Sequence, residues 1–266
     1  DLEGQQEEAT NMLINALSEM GFARVCLSPG HARSVLEASI DAASNMGSFR
    51  FPPIDAQVRY VPIQRQCFGV LYRLSRVCLD VLLRAAVRET WAITQLRECL
   101  CSAQSPQVPL FGRNGQGHTP FEHPADPFSS SFFNLFHYDH GLLNVHRDRC
   151  LVTAIYARVP PPKLGYSALW VRNATGTWTN VDACLGEHEV VILIGEDMAF
   201  IGQEAGLSLY AAEHCIRVNP DGENLSRAHF RPDPATPAKG NRASAAFILS
   251  ESSVTIDHHE GKPSGP

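Results

Sequence analysis

From Ser129 onward the chain consists of short apolar or alternating runs separated by turn residues, and this restricts its fold more than any other feature. The runs are Phe132 to Phe136, Leu151 to Tyr156, Ala168 to Arg172, Val190 to Ile194, Leu207 to Ala211 and Ala245 to Leu249. Almost nothing in this half follows a helical period. Many short strands with turns between them predict a sandwich or barrel, since a strand with one apolar face must bury it against another layer. Eighteen prolines and nineteen glycines agree with a turn-rich chain.

The first part of the chain has a different period. Met12, Leu13, Ala16, Leu17 and Met20 recur at helical spacing, and Gly21 is placed to stop that helix. Phe22 to Leu27 reads as a short strand. A second helix fits His31 to Met46, with Val35, Leu36, Ser39, Ile40 and Ala43 on one face and Ser28-Pro29 before it. After the break at Pro52-Pro53, the periodic run from Arg65 to Cys101 predicts one or two core helices, which Cys99 and Cys101 would end. Residues 102–128, rich in Pro, Gly, Ser and Gln, read as a linker or an active-site loop. The expected organisation is α+β: a helical region with its connecting loop over 1–128, a β-core over 129–252, and a flexible tail over 253–266.

With 44% hydrophobic residues the chain can bury a full core, which excludes general disorder. Its 22 basic and 28 acidic residues give a net charge of −6, which argues against a nucleic-acid backbone as partner. No apolar run is long enough for a membrane span, and Asp1 to Glu8 is too acidic for a secretory signal. Eight cysteines scattered through apolar segments form no tight disulfide framework, so reduced thiols and a cytoplasmic setting are expected.

Two pairs in the β-rich half have the chemistry of a metal site. His137/Asp139 and His146/Asp148 are both His-x-Asp, and on a strand such a pair aims an imidazole and a carboxylate to one side. His214, read as the end of a later strand, offers a third ligand. Two histidines and one carboxylate on one face of an ion leave open positions, the arrangement associated with non-haem Fe(II) that activates oxygen. On spacing alone, either pair qualifies.

The surrounding residues add a resemblance. The segment from His146 to Tyr156 resembles the His-x-Asp-x-Gly-x-Leu-Thr segment of the isopenicillin N synthase-like Fe(II)/2-oxoglutarate oxygenases. Val191 to Asp197 resembles that family's strand ending in Gly-Asp, and Glu213 to Val218 its Glu-His-Arg-Val segment. Arg242-Ala243-Ser244 resembles its Arg-x-Ser segment. Leu169-Trp170-Val171 and Trp178 fall where it has a strand-turn-strand, and Leu17 to Val25 resembles its N-terminal Gly-Phe-Phe region. The resemblance covers most of the chain, best from 132 to 250, and the motifs come in the family's order. It implies a double-stranded β-helix, or jelly roll, as the core.

By this resemblance His146, Asp148 and His214 would be both the catalytic centre and the ligands of Fe(II), with His137/Asp139 as runner-up. The 66 positions from Asp148 to His214 are closer to the family's gap than the 75 from Asp139. Arg242 would pair with the far carboxylate of 2-oxoglutarate, with Ser244 adding a hydroxyl donor. Tyr138 and Asn134, on the preceding strand, would help to hold the co-substrate. The resemblance thus implies a 2-oxoglutarate-dependent dioxygenase that uses O2 to hydroxylate or desaturate a small organic substrate, releasing succinate and CO2. The alternatives are a degenerate metal-binding module and an Fe(II) oxidase that needs no oxoacid. Oligomeric state and substrate identity are open.

Two departures stand out. Cys150 replaces the family's glycine, and residues 219–240 form an insertion rich in Pro and Asp before Arg242. The insertion leaves Arg217 and Arg231 as competitors for the oxoacid. Cys150 and Cys215 also flank the ligand segments, where thiols beside an oxidising centre are expected to be vulnerable.

Overall fold

The computed structural model describes residues 2–27, 30, 34–38, 40–41, 62–102, 128, 131–138, 143–158, 168–186, 188–217 and 242–250. Asp139, the 219–240 insertion and the 253–266 tail lie outside these residues.

Helix α1 (Leu2–Glu19) ends where the sequence places its stop. Gly21 takes φ +75, and a Cβ there would lie 2.4 Å from the Ala212 side chain, so both backbone and space require glycine. Strand β1 (Phe22–Cys26) follows. Residues 34–38 are helical, with Val35 and Leu36 buried, and the expected helix beyond residue 41 lies outside the described residues. The long periodic run resolves into two helices, α2 (Pro62–Arg84) and α3 (Trp91–Ser102). Thr90 starts the second, its hydroxyl accepting from the Ile93 amide at 3.3 Å. Arg76 and Arg97 tie the pair together, donating to the Leu100 carbonyl at 2.7 Å and the Leu83 carbonyl at 2.6 Å.

The second half supplies β2 (Phe132–Tyr138), β3 (Leu143–His146), β4 (Val152–Arg158), β5 (Ala168–Arg172) and β6 (Trp178–Asn180). It continues with β7 (Glu189–Ile194), β8 (His214–Arg217) and β9 (Arg242–Leu249). They form two antiparallel sheets, a five-stranded one ordered β1-β7-β4-β9-β2 and a four-stranded one ordered β3-β8-β5-β6. This is the expected α+β architecture with a double-stranded β-helix core. The first third contributes to it directly, because β1 pairs with β7 from Phe22 opposite Leu193 to Cys26 opposite Glu189.

The apolar runs of β4, β7 and β9 are nearly unbroken because both faces of the larger sheet are covered. Val152, Ala154, Tyr156, Val190, Ile192, Ile194, Ala245, Phe247 and Leu249 pack in one cluster with Leu17, Leu71, Leu79 and Leu82 of the helices. Their neighbours one residue along, Ile155, Val191, Leu193, Ala246 and Ile248, pack with Leu169, Val171 and Ile216 of the smaller sheet. Tyr72 of α2 meets Phe247 edge-on, with ring centroids 5.6 Å apart.

Three readings of the second half are corrected. It contains helices, the four-residue α4 (Val181–Cys184) and the nine-residue α5 (Glu196–Glu204). The signal for α5 was legible: Glu196 and Asp197 occupy the first turn, and Met198, Ile201 and Gly202 share its buried side. Leu207 to Ala211 is not a strand, since residues 207–213 carry no regular structure. It is apolar because it packs: Leu207 is buried, and Leu209 lies so close to Gly202 that a Cβ there would approach it to 2.9 Å. Finally, β3 ends at His146, so Asp148 lies past the strand, whereas His214 begins β8 and does not end a strand.

Candidate metal centre

The four-stranded sheet brings the two histidines together. In the β3·β8 ladder His146 is the direct partner of His214, and their ring centroids are 4.3 Å apart. Two residues on, the chain leaves the strand and returns the Asp148 carboxylate toward both rings. Its Oδ1 lies 3.5 Å from His146 Nε2 and 3.7 Å from His214 Nε2. One ligand atom from each of the three residues lies within 4.8 Å of the others, and among the described residues this is the single His/Cys/Asp/Glu group so arranged. Two donors bound to one ion at about 2.1 Å stand roughly 3–4 Å apart, so small side-chain adjustments suffice.

The hydrogen bonds fit a metal as well as the distances do. His146 Nδ1 pairs with the Asn144 carbonyl at 2.7 Å, and His214 Nδ1 with the Ala212 carbonyl at 3.2 Å. A carbonyl only accepts, so each ring carries a proton on Nδ1 and turns Nε2 to the centre, where the neutral ring offers a lone pair. The carboxylate is fixed in the same way, with the Thr153 hydroxyl donating to Asp148 Oδ2 at 2.6 Å. Oδ1 is the atom turned to the rings.

The electrostatics separate the two imidazoles. His146, half-exposed, is held above its ordinary pKa by its bond to Asp148 and, less strongly, by the Asn144 carbonyl and the carboxylate charge, against the pull of burial. His214 is buried and pushed below its ordinary value, because desolvation outweighs the nearby carboxylate. For Asp148 burial is the largest influence and acts upward. The bonds from His146 and Thr153 and the charges of both rings together exceed it, holding the carboxyl below its usual range.

Backbone packing holds the turn that carries Asp148. The Glu196 amide donates to the Asp148 carbonyl at 2.8 Å, and the Gly195 amide to the Leu151 carbonyl at 3.3 Å. A Cβ at Gly195 would fall 2.1 Å from the Cys150 carbonyl oxygen, so the start of α5 can clasp this turn only with glycine there. On the far side Glu213, beside His214, pairs with Arg147 at 3.3 Å and Arg172 at 3.0 Å, bracing β3, β8 and β5. Thr153, Gly195 and Glu213 had no role in the sequence reading. All three left a trace there only as letters of the resembled motifs.

The residues expected to hold the co-substrate lie in the other sheet. Asn134 and Tyr138 are on β2, and Arg242 and Ser244 on β9. The β2·β9 register sets Tyr138 opposite Arg242, Phe136 opposite Ser244 and Asn134 opposite Ala246. Ser244 is buried. His137 is opposite Ala243, and its partner in the runner-up pair, Asp139, lies outside the described residues. The flanking cysteines are less vulnerable than expected. Burial raises the Cys150 thiol far above its ordinary value and Cys215 to about 11, so neither supplies the thiolate on which oxidation depends. All eight cysteines are free.

No protein-family model matches the sequence, and no curated protein matches it. Solved structures do. A 2OG-Fe(II) oxygenase family protein from Caulobacter crescentus superposes with a TM-score of 0.53 at 14% identity, covering 94% of this chain and 84% of that one. A full-length Neurospora crassa protein, solved in complex with alpha-KG, superposes with a TM-score of 0.51 at 12% identity, covering 93% of this chain and 79% of that one. The chain shares their fold. At these identities the likeness is one of architecture, and chemistry must be argued from the His146, Asp148 and His214 cluster itself. No helix among the described residues is long and apolar enough to cross a membrane.

Proposed function

We propose that the protein is an Fe(II)- and 2-oxoglutarate-dependent oxygenase of the isopenicillin N synthase-like kind, acting on a small organic substrate. The observation that carries this is the gathering of two Nε2 atoms and one Asp148 oxygen within 4.8 Å of one another, with Nδ1 of each ring and Oδ2 of Asp148 hydrogen-bonded elsewhere. A set of two histidines and one carboxylate occupies one face of an ion and suits Fe(II) that must keep positions open. The shared fold and the order of the resembled motifs support the same reading.

Bound iron with 2-oxoglutarate would supply oxygen activation, with succinate and CO2 released as the substrate is hydroxylated or desaturated. The chain's own residues have narrower tasks. His146 and His214 ligate as neutral rings, and Asp148 ligates as an ionised carboxylate. Arg242 is assigned to the far carboxylate of the oxoacid, which its guanidinium matches with two parallel bonds, and Ser244 adds a buried hydroxyl on the same strand. Tyr138 and Asn134 are assigned to the co-substrate from the adjoining strand. The eight free thiols support a reducing, cytoplasmic setting, and the net charge of −6 favours a small-molecule partner over nucleic acid.

Anaerobic titration with Fe(II), with and without 2-oxoglutarate, tests the assignment. The expected result is a visible metal-to-ligand charge-transfer band that needs both additions, and succinate formation once air is admitted. No band together with no succinate rejects the oxygenase. A band that survives Arg242→Ala undiminished rejects the oxoacid assignment alone.

A further inference from the structure

An ionised carboxylate only accepts hydrogen bonds, so the 2.6 Å contact between Thr153 Oγ1 and Asp148 Oδ2 commits the single hydroxyl proton of Thr153. Thr153 Oγ1 also lies 3.3 Å from Cys150 Sγ. With the threonine proton already committed, the thiol must be the donor in that second contact. Cys150 is fully buried behind the threonine. The result is a directed chain from Cys150 S–H to the Thr153 hydroxyl to Asp148 Oδ2. Aligned hydrogen bonds strengthen one another, most of all in a buried setting. Meanwhile Oδ1 faces both imidazoles.

We propose that Thr153, backed by Cys150, is a positioning residue that holds Asp148 to one ligating oxygen and so sets both the affinity and the coordination number of the metal. This rests on the metal-centre reading above. A carboxylate free to rotate can chelate through both oxygens and close a position that the chemistry needs open. The Thr153 bond occupies the second oxygen and blocks that mode. Thr153 sits in β4 between the buried Val152 and Ala154, so its orientation is fixed by the strand. Hydrogen-bonded partners of metal ligands typically change metal affinity about 10- to 100-fold when removed.

The test uses Co(II), whose visible d–d spectrum reports coordination without turnover. Thr153→Val keeps the shape and removes the hydroxyl. It is expected to bind Co(II) about 10- to 100-fold more weakly and to change the band intensities as Asp148 becomes free to chelate. Thr153→Ser, which retains the donor, is expected to restore both affinity and spectrum. Cys150→Ala is expected to weaken binding more than Cys150→Ser, which keeps a donor, and this pair decides the matter if Thr153→Val does not fold. Wild-type affinity and spectrum in Thr153→Val overturn the relay, as do indistinguishable Cys150→Ala and Cys150→Ser proteins. Failure of the unaltered protein to bind Co(II) at all overturns the metal centre itself.

Discussion

At the scale of single residues, the two histidines of the centre are unequal. His214 is buried and disfavours its proton, whereas the bond to Asp148 raises the affinity of His146 for its own. A metal must displace that proton. Affinity for Fe(II) is therefore expected to fall as pH drops through the raised value of His146, earlier than an ordinary imidazole would dictate, and to fall further only at lower pH where His214 titrates. Binding isotherms across pH check this; a single transition at the ordinary imidazole value would refute it. Ligand identity is tested separately. His214→Ala and His146→Ala are each expected to reduce Fe(II) affinity by more than about 100-fold, exceeding the loss typical of a hydrogen-bonded partner of a ligand. His137→Ala is expected to leave it unchanged, and loss of binding in that variant alone would transfer the site to the earlier pair.

At the scale of elements, the site depends on how α5 meets the turn after β3. The Gly195 and Glu196 amides reach the carbonyls of Leu151 and Asp148, and there is no room for a side chain between them. Gly195→Ala must push the helix off the turn. Overpacking of this kind destabilises by about 2–3 kcal/mol, lowering Tm by about 2–4 °C per kcal/mol for a chain of this size. Metal affinity is expected to fall with it, because Asp148 rides on the displaced turn. Thermal melts and Co(II) titration of the same protein check both halves.

At the scale of the whole molecule, the helices and the β-core share one interior. Phe247 has Tyr72 of α2 on its ring, and the whole helix-facing side of β4, β7 and β9 is apolar. Phe247→Ala is expected to cost about 3–5 kcal/mol, read by denaturant or thermal unfolding. A fragment over residues 129–252 would lose β1 from the edge of the larger sheet and expose that entire face to water. It is expected to aggregate or to bind hydrophobic dye without a cooperative melt. A sharp unfolding transition in the fragment would show that the core folds without its helical cover.

Local pattern was enough for the α+β class, for α1 and its stop at Gly21, for β1, for the helical run that holds α2 and α3, though not its division in two, and for most strands. These follow from periodicity and from glycine chemistry, which act within a few residues. Apolarity alone misled at Leu207 to Ala211, because packing on Gly202 demands the same residues as a sheet does. The two histidines and the aspartate of the candidate centre, and their order along the chain, were also legible. Their meeting point was not. His146 and His214 are partners through the β3·β8 register, and Asp148 faces them on a turn that α5 clasps, with its second oxygen bonded to Thr153. Nearby residues therefore determine which elements form. A His-Asp-His cluster drawn from positions 68 apart is decided by strand pairing and close packing, which no local window of sequence contains.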